Sequence, residues 1–211
     1  MALPAELREV AAGCGIDADS AAAGQLDAFV ALLSKWNRRV NLTSSTRPAD
    51  LAPLIEESLW AARLYRERKG GGQWRHLDIG TGSGFPAVPL KILNPGIRLT
   101  LLESREKKAF FLERVIRELG FAETAVCCRR LSEYLGETGS ACWDTVSWKA
   151  VRLAEADWRW FLERSVRGVE FWVFHGRGIP AENPAEFRRR FGAVETLRIP
   201  NRKESYLSIF Q

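Results

Sequence analysis

The sequence contains few residues that can bind a metal ion or build a disulfide framework. Its 211 residues include four cysteines and two histidines, and no CxxC pair occurs. Zinc sites and disulfide scaffolds both need a denser set of such side chains at short spacings. We therefore expect no metal site, and we expect reduced thiols packed in the core. The side chains concerned are Cys14, Cys127, Cys128, Cys142, His76 and His175.

The chain also lacks a long uncharged apolar segment. A membrane-spanning helix needs about 20 apolar residues in succession. The first ten residues, MALPAELREV, carry charged side chains where a signal peptide has its apolar core. We therefore expect a soluble cytoplasmic protein with no membrane partner. We also expect it to act as a monomer, although nothing in the sequence decides the oligomeric state.

The composition that is present fits a folded domain with a modest basic excess. Apolar residues make up 46% of the chain, which is enough to bury a sizeable core. The formal net charge is +5 and the pI is about 9.2. Such an excess suits a phosphate-bearing partner but is also common in ordinary enzymes, so charge alone identifies no partner.

Helical patterns occupy the N-terminal third of the sequence. Apolar residues recur at steps of three and four over residues 20–39, after a Ser20 cap, and again over residues 48–68. The glycine-rich run KGGGQ at 69–73 then interrupts the pattern. We predict a helical N-terminal extension over residues 1–72, packed on a second domain formed by residues 73–211.

Short apolar runs alternate with helical patterns after residue 72. Strands joined by helices make right-handed crossovers, so this alternation predicts an α/β fold with a doubly wound, mostly parallel sheet. Two final runs with no helix between them predict an antiparallel edge. The predicted strands are 74–79, 97–103, 123–128, 143–148, 169–175, 193–200 and 204–211, and the predicted helices are 86–93, 105–120 and 153–167.

The stretch DIGTGSGFPAVPL at 78–90 places three glycines between the first strand and the first helix. Open α/β sheets bind nucleotides and related ligands at this turn, because glycine lets a ligand approach the backbone closely. Glu103 ends the second strand 19 residues after Gly84, since 103 − 84 = 19. A carboxylate there can accept hydrogen bonds from both hydroxyls of a ribose. The pairing suggests S-adenosylmethionine, although a plain tight turn and a solvated strand end would show the same residues.

Three stretches resemble one protein family. DIGTGSGFPAVPLKI, LLESREKKAFFLERVIRELG and LLSKWNRRVNLTS are similar to the RsmG (GidB) family, over about residues 26–175. Members are bacterial methyltransferases that transfer a methyl group from S-adenosylmethionine to N7 of a guanine in small-subunit (16S) ribosomal RNA. The resemblance implies a class I, Rossmann-like methyltransferase domain over residues 73–211, with S-adenosylhomocysteine as product. The implied partner is small-subunit ribosomal RNA or the small ribosomal subunit.

The resemblance also implies roles for individual residues. Three glycines would line the methionine end of the cofactor, Glu103 would bind its ribose, and the segment 130–132 would lie by its adenine. Phe85 either lines this pocket or packs the first helix on the sheet. The predicted cofactor-binding residues are Asp78, Gly80, Gly82, Gly84, Phe85, Glu103, Leu131, Ser132 and Lys149. The predicted catalytic residues are Lys149, Arg130 and His175.

The expected chemistry needs no proton acceptor. Guanine N7 carries an in-plane lone pair, so positioning and electrostatics supply most of the catalysis. Methylation of pyrimidine C5 needs a cysteine nucleophile, but no activating base is evident near Cys127 and Cys128. The run VSWKAV after the fourth strand also differs from the Asn/Asp-Pro-Pro-aromatic turn typical of amino-group methylases.

Basic residues on the presumed substrate side are the candidates for RNA contact. Cations on one face can meet the phosphates of folded RNA, but clusters of this kind are also common on ordinary solvated surfaces. Trp36 falls on an apolar helical stripe, which favours core packing, while Trp148 at a strand end offers a ring for stacking a base. The candidate RNA-binding residues are Lys35, Arg38, Arg39, Arg129, Arg152, Arg202 and Lys203.

The sequence departs from the family at several positions on the substrate side. Lys149 and Ser205 stand where the family usually has arginine, His175 where it commonly has lysine, and PLIEES at 53–58 lacks the family's histidine. Lysine keeps the charge of arginine but loses its planar fork. His175 either fills space or hydrogen-bonds guanine O6. The departures leave an alternative, a cofactor-binding paralogue that methylates another acceptor or has lost catalysis and acts as an RNA-associated binding protein.

Overall fold

Helices and strands alternate along most of the chain in the computed structural model, which describes residues 3–138, 143–164, 168–177 and 185–211. The helices are α1 (Ala5–Gly13), α2 (Ala21–Asn37), α3 (Pro48–Lys69), α4 (Ala87–Leu93), α5 (Glu106–Leu119), α6 (Leu131–Thr138), α7 (Glu155–Arg164) and α8 (Ala185–Arg190). The strands are β1 (Arg75–Ile79), β2 (Arg98–Leu102), β3 (Thr124–Cys127), β4 (Thr145–Lys149), β5 (Glu170–His175), β6 (Ala193–Arg198) and β7 (Tyr206–Phe210).

The seven strands form one sheet in the order β3-β2-β1-β4-β5-β7-β6. Strands β1 to β5 pair in parallel, while β7 runs antiparallel to both β5 and β6. The strand order reverses between β1 and β4, which opens a crevice at the carboxyl ends of these strands. The predicted doubly wound α/β sheet and its antiparallel C-terminal pair are confirmed.

Local chemistry explains where the long helices begin and end. The Ser20 side chain accepts a hydrogen bond from the Ala23 amide at 3.2 Å at the start of α2. Gly120 ends α5 in the left-handed conformation. Three short helices, α1, α6 and α8, were not predicted, because each buries only one or two side chains and so shows little periodicity.

Two apolar clusters cover the two faces of the sheet. Helices α1 to α3 share one cluster with α4 and α5, and Trp172 and Phe174 of β5 point into it. The alternate β5 residues Phe171 and Val173 face the other cluster, which is rich in aromatic rings. The helical extension therefore completes one face of the sheet, while its division from the rest at residue 72 stays a prediction.

Most tryptophans of the second half lie in the core. Trp148 is 3% exposed and packs edge-on against Trp158, with ring centroids 5.6 Å apart. It therefore offers no free face, and the alternative that it stacks on a base is wrong. Trp36 contacts Phe111 and the exposed Phe110, so it packs on the core edge.

The prediction of buried cysteines is wrong for one position. Cys128 is exposed, and Cys14 and Cys127 are half-buried. The run AVCC has the composition of a core strand, but β3 is the edge strand of the sheet and its residues are incompletely covered. Cys142 and the last three residues of the helix predicted over 153–167 lie outside the described residues. None of the described helices is long and apolar enough to cross a membrane.

Candidate active site

A left-handed glycine turn follows β1 at the crevice. Gly80, Gly82 and Gly84 have φ of +67°, +61° and +95°, which side-chain-bearing residues rarely adopt. A Cβ on Gly80 would collide with Val151 Cγ2, and one on Gly84 would lie 2.8 Å from Val88 Cγ2. The turn is held at the sheet because the Gly80 amide donates to the Leu102 carbonyl at 2.7 Å. Glycine is thus required at positions 80 and 84.

Glu103 joins the glycine turn to the start of α5. Its side chain is buried, and its Oε2 accepts a hydrogen bond from the Gly82 amide at 3.0 Å. Its Oε1 accepts from the Arg105 amide at 2.9 Å. An ionised carboxylate has about four acceptor positions, so two remain for a diol after these contacts. The backbone orients the carboxylate before any ligand arrives.

A cavity of about 270 Å³ adjoins the glycine turn on the side of β3 and β4. It brings together Gly80 and the predicted adenine segment, residues 130–132, with two further arginines predicted to bind RNA, Arg129 and Arg152. Arg129 also forms an ion pair with Glu137. A ligand whose ribose is bound by Glu103 would extend into this cavity.

Asp157 borders the same cavity and was missed in the sequence. Its Oδ2 accepts a hydrogen bond from the Ala154 amide at 2.9 Å, which caps α7, and burial raises the pKa of this carboxyl. An acidic residue three positions after the residue at which a helix starts is a recognisable capping signal. The cap fixes the loop between β4 and α7 against the cavity.

Phe85 follows the turn and packs against α2. Its ring is buried and meets Phe29 edge-on, with centroids 5.2 Å apart. This contact joins the glycine turn to the helical extension, and packing of the first helix of the α/β domain on the sheet by Phe85 stays a prediction. Its contact with the cofactor stays a prediction.

Asp78 belongs to a buried polar row at the end of β1. The Ser147 hydroxyl donates to Asp78 Oδ1 at 2.5 Å and lies 2.8 Å from His76 Nε2. Burial raises the pKa of Asp78 to about 7. Burial, reinforced by the Lys69 charge, lowers the pKa of His76 to about 3. The core therefore favours a protonated Asp78 and a neutral His76 next to the glycine turn.

These opposed pKa shifts predict a compensation in the pH dependence of folding. The ordinary pKa values are 3.8 for Asp78 and 6.5 for His76. Between about pH 4 and pH 6.5 the unfolded chain holds its proton on His76, and the folded chain holds its proton on Asp78. The two states then bind equal numbers of protons at this pair, so the pair contributes little slope to the stability.

Replacing either Asp78 or His76 is expected to reveal the effect of the other residue on the pH dependence of stability. Asp78→Asn leaves the His76 effect, so stability relative to wild type rises with pH across that window, by up to about 1.4 kcal/mol per pH unit. His76→Leu leaves the Asp78 effect, so stability falls with pH by a similar slope. Urea unfolding at several pH values measures both. Parallel pH profiles for the two variants would contradict the assignment.

A second cavity, of about 230 Å³, lies beyond the ends of β4 and β5. Lys149, His175 and Ser205, three of the positions at which the sequence departs from the family, all line it. Glu57 and Arg202 line it as well. These three departures from the family therefore lie together in one cavity. Their spacing in the sequence gave no indication of this.

Glu57 pairs with both cations of this cavity. Its side chain is 2% exposed, its Oε1 forms an ion pair with Lys149, and its Oε2 lies 3.2 Å from Arg202 Nε. The structure thus places Lys149 beside Glu57 and away from the lining of the larger cavity. Arg202 is half-buried in this pair, whereas the neighbouring Lys203 is exposed.

His175 is held by hydrogen bonds on both ring nitrogens. Nδ1 lies 2.8 Å from the Gly176 carbonyl, which can only accept, so Nδ1 carries a proton. Nε2 lies 2.8 Å from the Ser208 hydroxyl, which lies 2.9 Å from Thr196 Oγ1. The ring is fixed at the cavity wall, and its predicted catalytic role stays a prediction.

The remaining predicted RNA-binding residues lie on α2 and just beyond it. Lys35, Arg38 and Arg39 are exposed at its C-terminal end. The Asn37 side chain accepts hydrogen bonds from the Leu42 and Thr43 amides at 2.9 Å each, which folds the chain back after α2. Phe110, 55% exposed, lies beside Trp36, the residue that follows Lys35 in α2.

The thiols near the crevice are poorly suited to nucleophilic attack. Burial raises the pKa of Cys127. Slight desolvation and the negative charges of Glu106 and Glu103 raise the pKa of the exposed Cys128. A raised pKa lowers the thiolate fraction at neutral pH. The arrangement fits transfer to an acceptor that needs no covalent enzyme intermediate.

The sheet order, the glycine turn after β1 and the anchored acid after β2 define a class I S-adenosylmethionine-dependent methyltransferase. A mutant of MtNAS in complex with S-adenosylmethionine superposes with a TM-score of 0.60 at 12% identity, over 97% of this chain and 96% of that one. A ribosomal protein L11 methylase from Lactobacillus delbrueckii subsp. bulgaricus superposes with a TM-score of 0.55 at 15% identity, over 74% and 78%. At these identities the likeness concerns the fold.

Sequence comparison identifies the family. Residues 22–188 match the GidB family, described as rRNA small subunit methyltransferase G, and the chain belongs to this family. The ribosomal RNA small subunit methyltransferase G of Shewanella amazonensis is 30% identical over 199 residues, 93% of this chain and 91% of that protein. The protein of the same name from Ectopseudomonas mendocina is 32% identical over 206 residues, 92% and 89%. The resemblance found in the sequence is confirmed.

Proposed function

We propose that this chain transfers a methyl group from S-adenosylmethionine to N7 of a guanine in small-subunit (16S) ribosomal RNA. The observation that carries the proposal is the family match over residues 22–188, which includes the glycine turn, Glu103 and Lys149. We expect the protein to act as a cytoplasmic monomer on the ribosomal RNA or on the small subunit.

The residues at the crevice fit this cofactor. Glu103 keeps two acceptor positions for the ribose hydroxyls, and the turn leaves no room for a Cβ at Gly80. Leu131 and Ser132 line the larger cavity, where they would hold the adenine. When bound, S-adenosylmethionine supplies an electrophilic methyl group on a positively charged sulfur.

The protein's contribution to the reaction is positioning. The N7 lone pair of guanine attacks without losing a proton, so no residue has to act as a general base. The side chains of the smaller cavity, Lys149, Arg202 and His175, would orient the base and the adjoining backbone. The exposed cations of α2 would contact RNA phosphates at a distance from the reacting atoms.

One observation favours a second candidate function. Both cations expected to meet substrate in the smaller cavity are paired with Glu57, so their charge is largely compensated. A protein with an intact cofactor turn and compensated substrate cations suits an RNA-associated factor that binds the cofactor without turnover. The two functions differ in whether methyl groups are transferred.

A methyl-transfer assay tests the proposal. Small ribosomal subunits from a strain that lacks this protein are incubated with labelled S-adenosylmethionine, and the modified base is mapped. We expect label at N7 of a single guanine, and no label on subunits from the parent strain, because they are already methylated. Absence of label from both, with cofactor binding confirmed by calorimetry, would support the binding function instead.

A further inference from the structure

The buried carboxylate of Glu57 lines the smaller cavity. Glu57 reaches it from α3, and its side chain is 2% exposed. Burying a carboxylate is costly unless charges or hydrogen bonds compensate it, and apolar side chains would join α3 to the sheet at least as well. A ligand that needs this carboxylate would explain why the position is acidic.

The carboxylate retains unused hydrogen-bonding capacity. Its Oε1 engages Lys149 and its Oε2 engages Arg202. Because each oxygen has two acceptor positions, one position on each oxygen is left for a ligand. The cavity has a volume of about 230 Å³. This is several times the volume of about 30 Å³ that one water molecule occupies. It is smaller than the roughly 300 Å³ of the smallest drug-sized sites. Those dimensions suit one planar base.

Guanine presents the matching donors. Its N1–H and one N–H of its 2-amino group point the same way on the Watson–Crick edge, so they can meet the two oxygens of one carboxylate. Adenine has an acceptor at N1 and no 2-amino group. Proteins that act on a base outside its helix commonly read this edge by hydrogen bonds.

We propose that Glu57 reads the Watson–Crick edge of the acceptor guanine in this cavity. The inference rests on the proposed function, because it assumes that guanine is the acceptor. N7 lies on the opposite edge of the base and therefore points away from Glu57. Ala150 lines this cavity and Val151 lines the larger one, so the two cavities adjoin at the chain leaving β4.

Replacing guanine by inosine at the acceptor position tests the contact, because inosine keeps N7, O6 and N1–H but lacks the 2-amino group. Small subunits are reconstituted on ribosomal RNA that carries either base. For wild type we expect kcat/KM on inosine to be about tenfold to a hundredfold lower, the effect of one hydrogen bond to a charged group. Equal rates on both bases would overturn the proposal.

Glu57→Gln should abolish the preference between the two bases. The carboxamide replaces one acceptor oxygen by an NH2 group with two donors, which opposes a guanine donor, so the paired contact with N1–H and the 2-amino group is lost. We expect a lower kcat/KM on guanine and a guanine-to-inosine ratio near one. Glu57→Asp keeps the carboxylate and should keep part of the preference. Glu67→Gln removes the same charge from an exposed position of α3 and should leave the ratio unchanged.

A purely structural role for Glu57 gives a different result. The variant would then lose activity equally on guanine and inosine, with the ratio preserved, and this would overturn the proposal. If Glu57→Gln does not fold, as judged by thermal melting and cofactor calorimetry, the wild-type ratio and the Glu57→Asp ratio decide. If the wild-type protein labels neither the guanine nor the inosine substrate, the proposed function itself is contradicted. The proposed contact between Glu57 and guanine is then contradicted as well.

Discussion

Glu103→Ala is expected to lower the affinity for S-adenosylmethionine by about a hundredfold or more while the fold persists. The carboxylate is preoriented by the Gly82 and Arg105 amides, so its remaining acceptors meet the ribose hydroxyls without reorganisation. Two hydrogen bonds to a charged group contribute about 3 kcal/mol or more together, and each 1.4 kcal/mol is a factor of about ten in affinity. Isothermal titration calorimetry measures the change.

The fold should tolerate this substitution. Arg105 is exposed and Gly82 is partly exposed, so their amides can bond to water when the carboxylate is removed. We expect a loss of stability of about 1 kcal/mol. Glu106→Ala, which removes an exposed acid three residues further on, is the matched control and should bind the cofactor normally. An unchanged affinity in Glu103→Ala would disprove the ribose contact.

Gly80→Ala is expected to abolish measurable cofactor binding and to destabilise the protein. The residue has φ of +67°, which costs an L-residue about 1–2 kcal/mol, and the new Cβ would collide with Val151 Cγ2. Val151 lines the larger cavity, so relief of the collision displaces the cavity wall. We expect affinity to fall at least about a hundredfold and stability by about 2–4 kcal/mol, measured by calorimetry and urea unfolding.

Gly120→Ala separates backbone strain from collision. Gly120 has a similar φ of +64°, but a Cβ there would meet no atom within 4 Å. We expect a loss of about 1 kcal/mol in stability and normal cofactor affinity. Adding Val151→Ala to Gly80→Ala removes the colliding methyl group and should recover part of the affinity. No recovery would show that the strain of the turn, and not the collision, is decisive.

Residues close together in the chain were predictable because local chemistry determines their conformation. The glycine turn, the acid that follows β2 and the caps of α2 and α5 all follow from properties of a few neighbouring residues. The alternation of strands and helices then leads to a parallel sheet with its site at the switch of strand order. The antiparallel pair β6 and β7 followed from the missing helix between them.

Contacts between distant segments were not predictable in this way. Glu57 and Lys149 are 92 positions apart, and Asp78 and Ser147 are 69 apart. No periodicity or spacing relates such residues, because their approach depends on how α3 packs on the sheet and on the register of β1 with β4. The exposure of Cys128 likewise depended on β3 being at the edge of the sheet.

The sequence by itself determined the α/β class, the cofactor turn and the family, because these depend on short motifs whose residues act on their own neighbours. Only the tertiary structure decided that Lys149, His175 and Ser205 share one cavity, and that a buried Glu57 holds two of its cations. The physical reason is that buried charges need partners, and the folded chain supplies them from whichever segments the packing brings near.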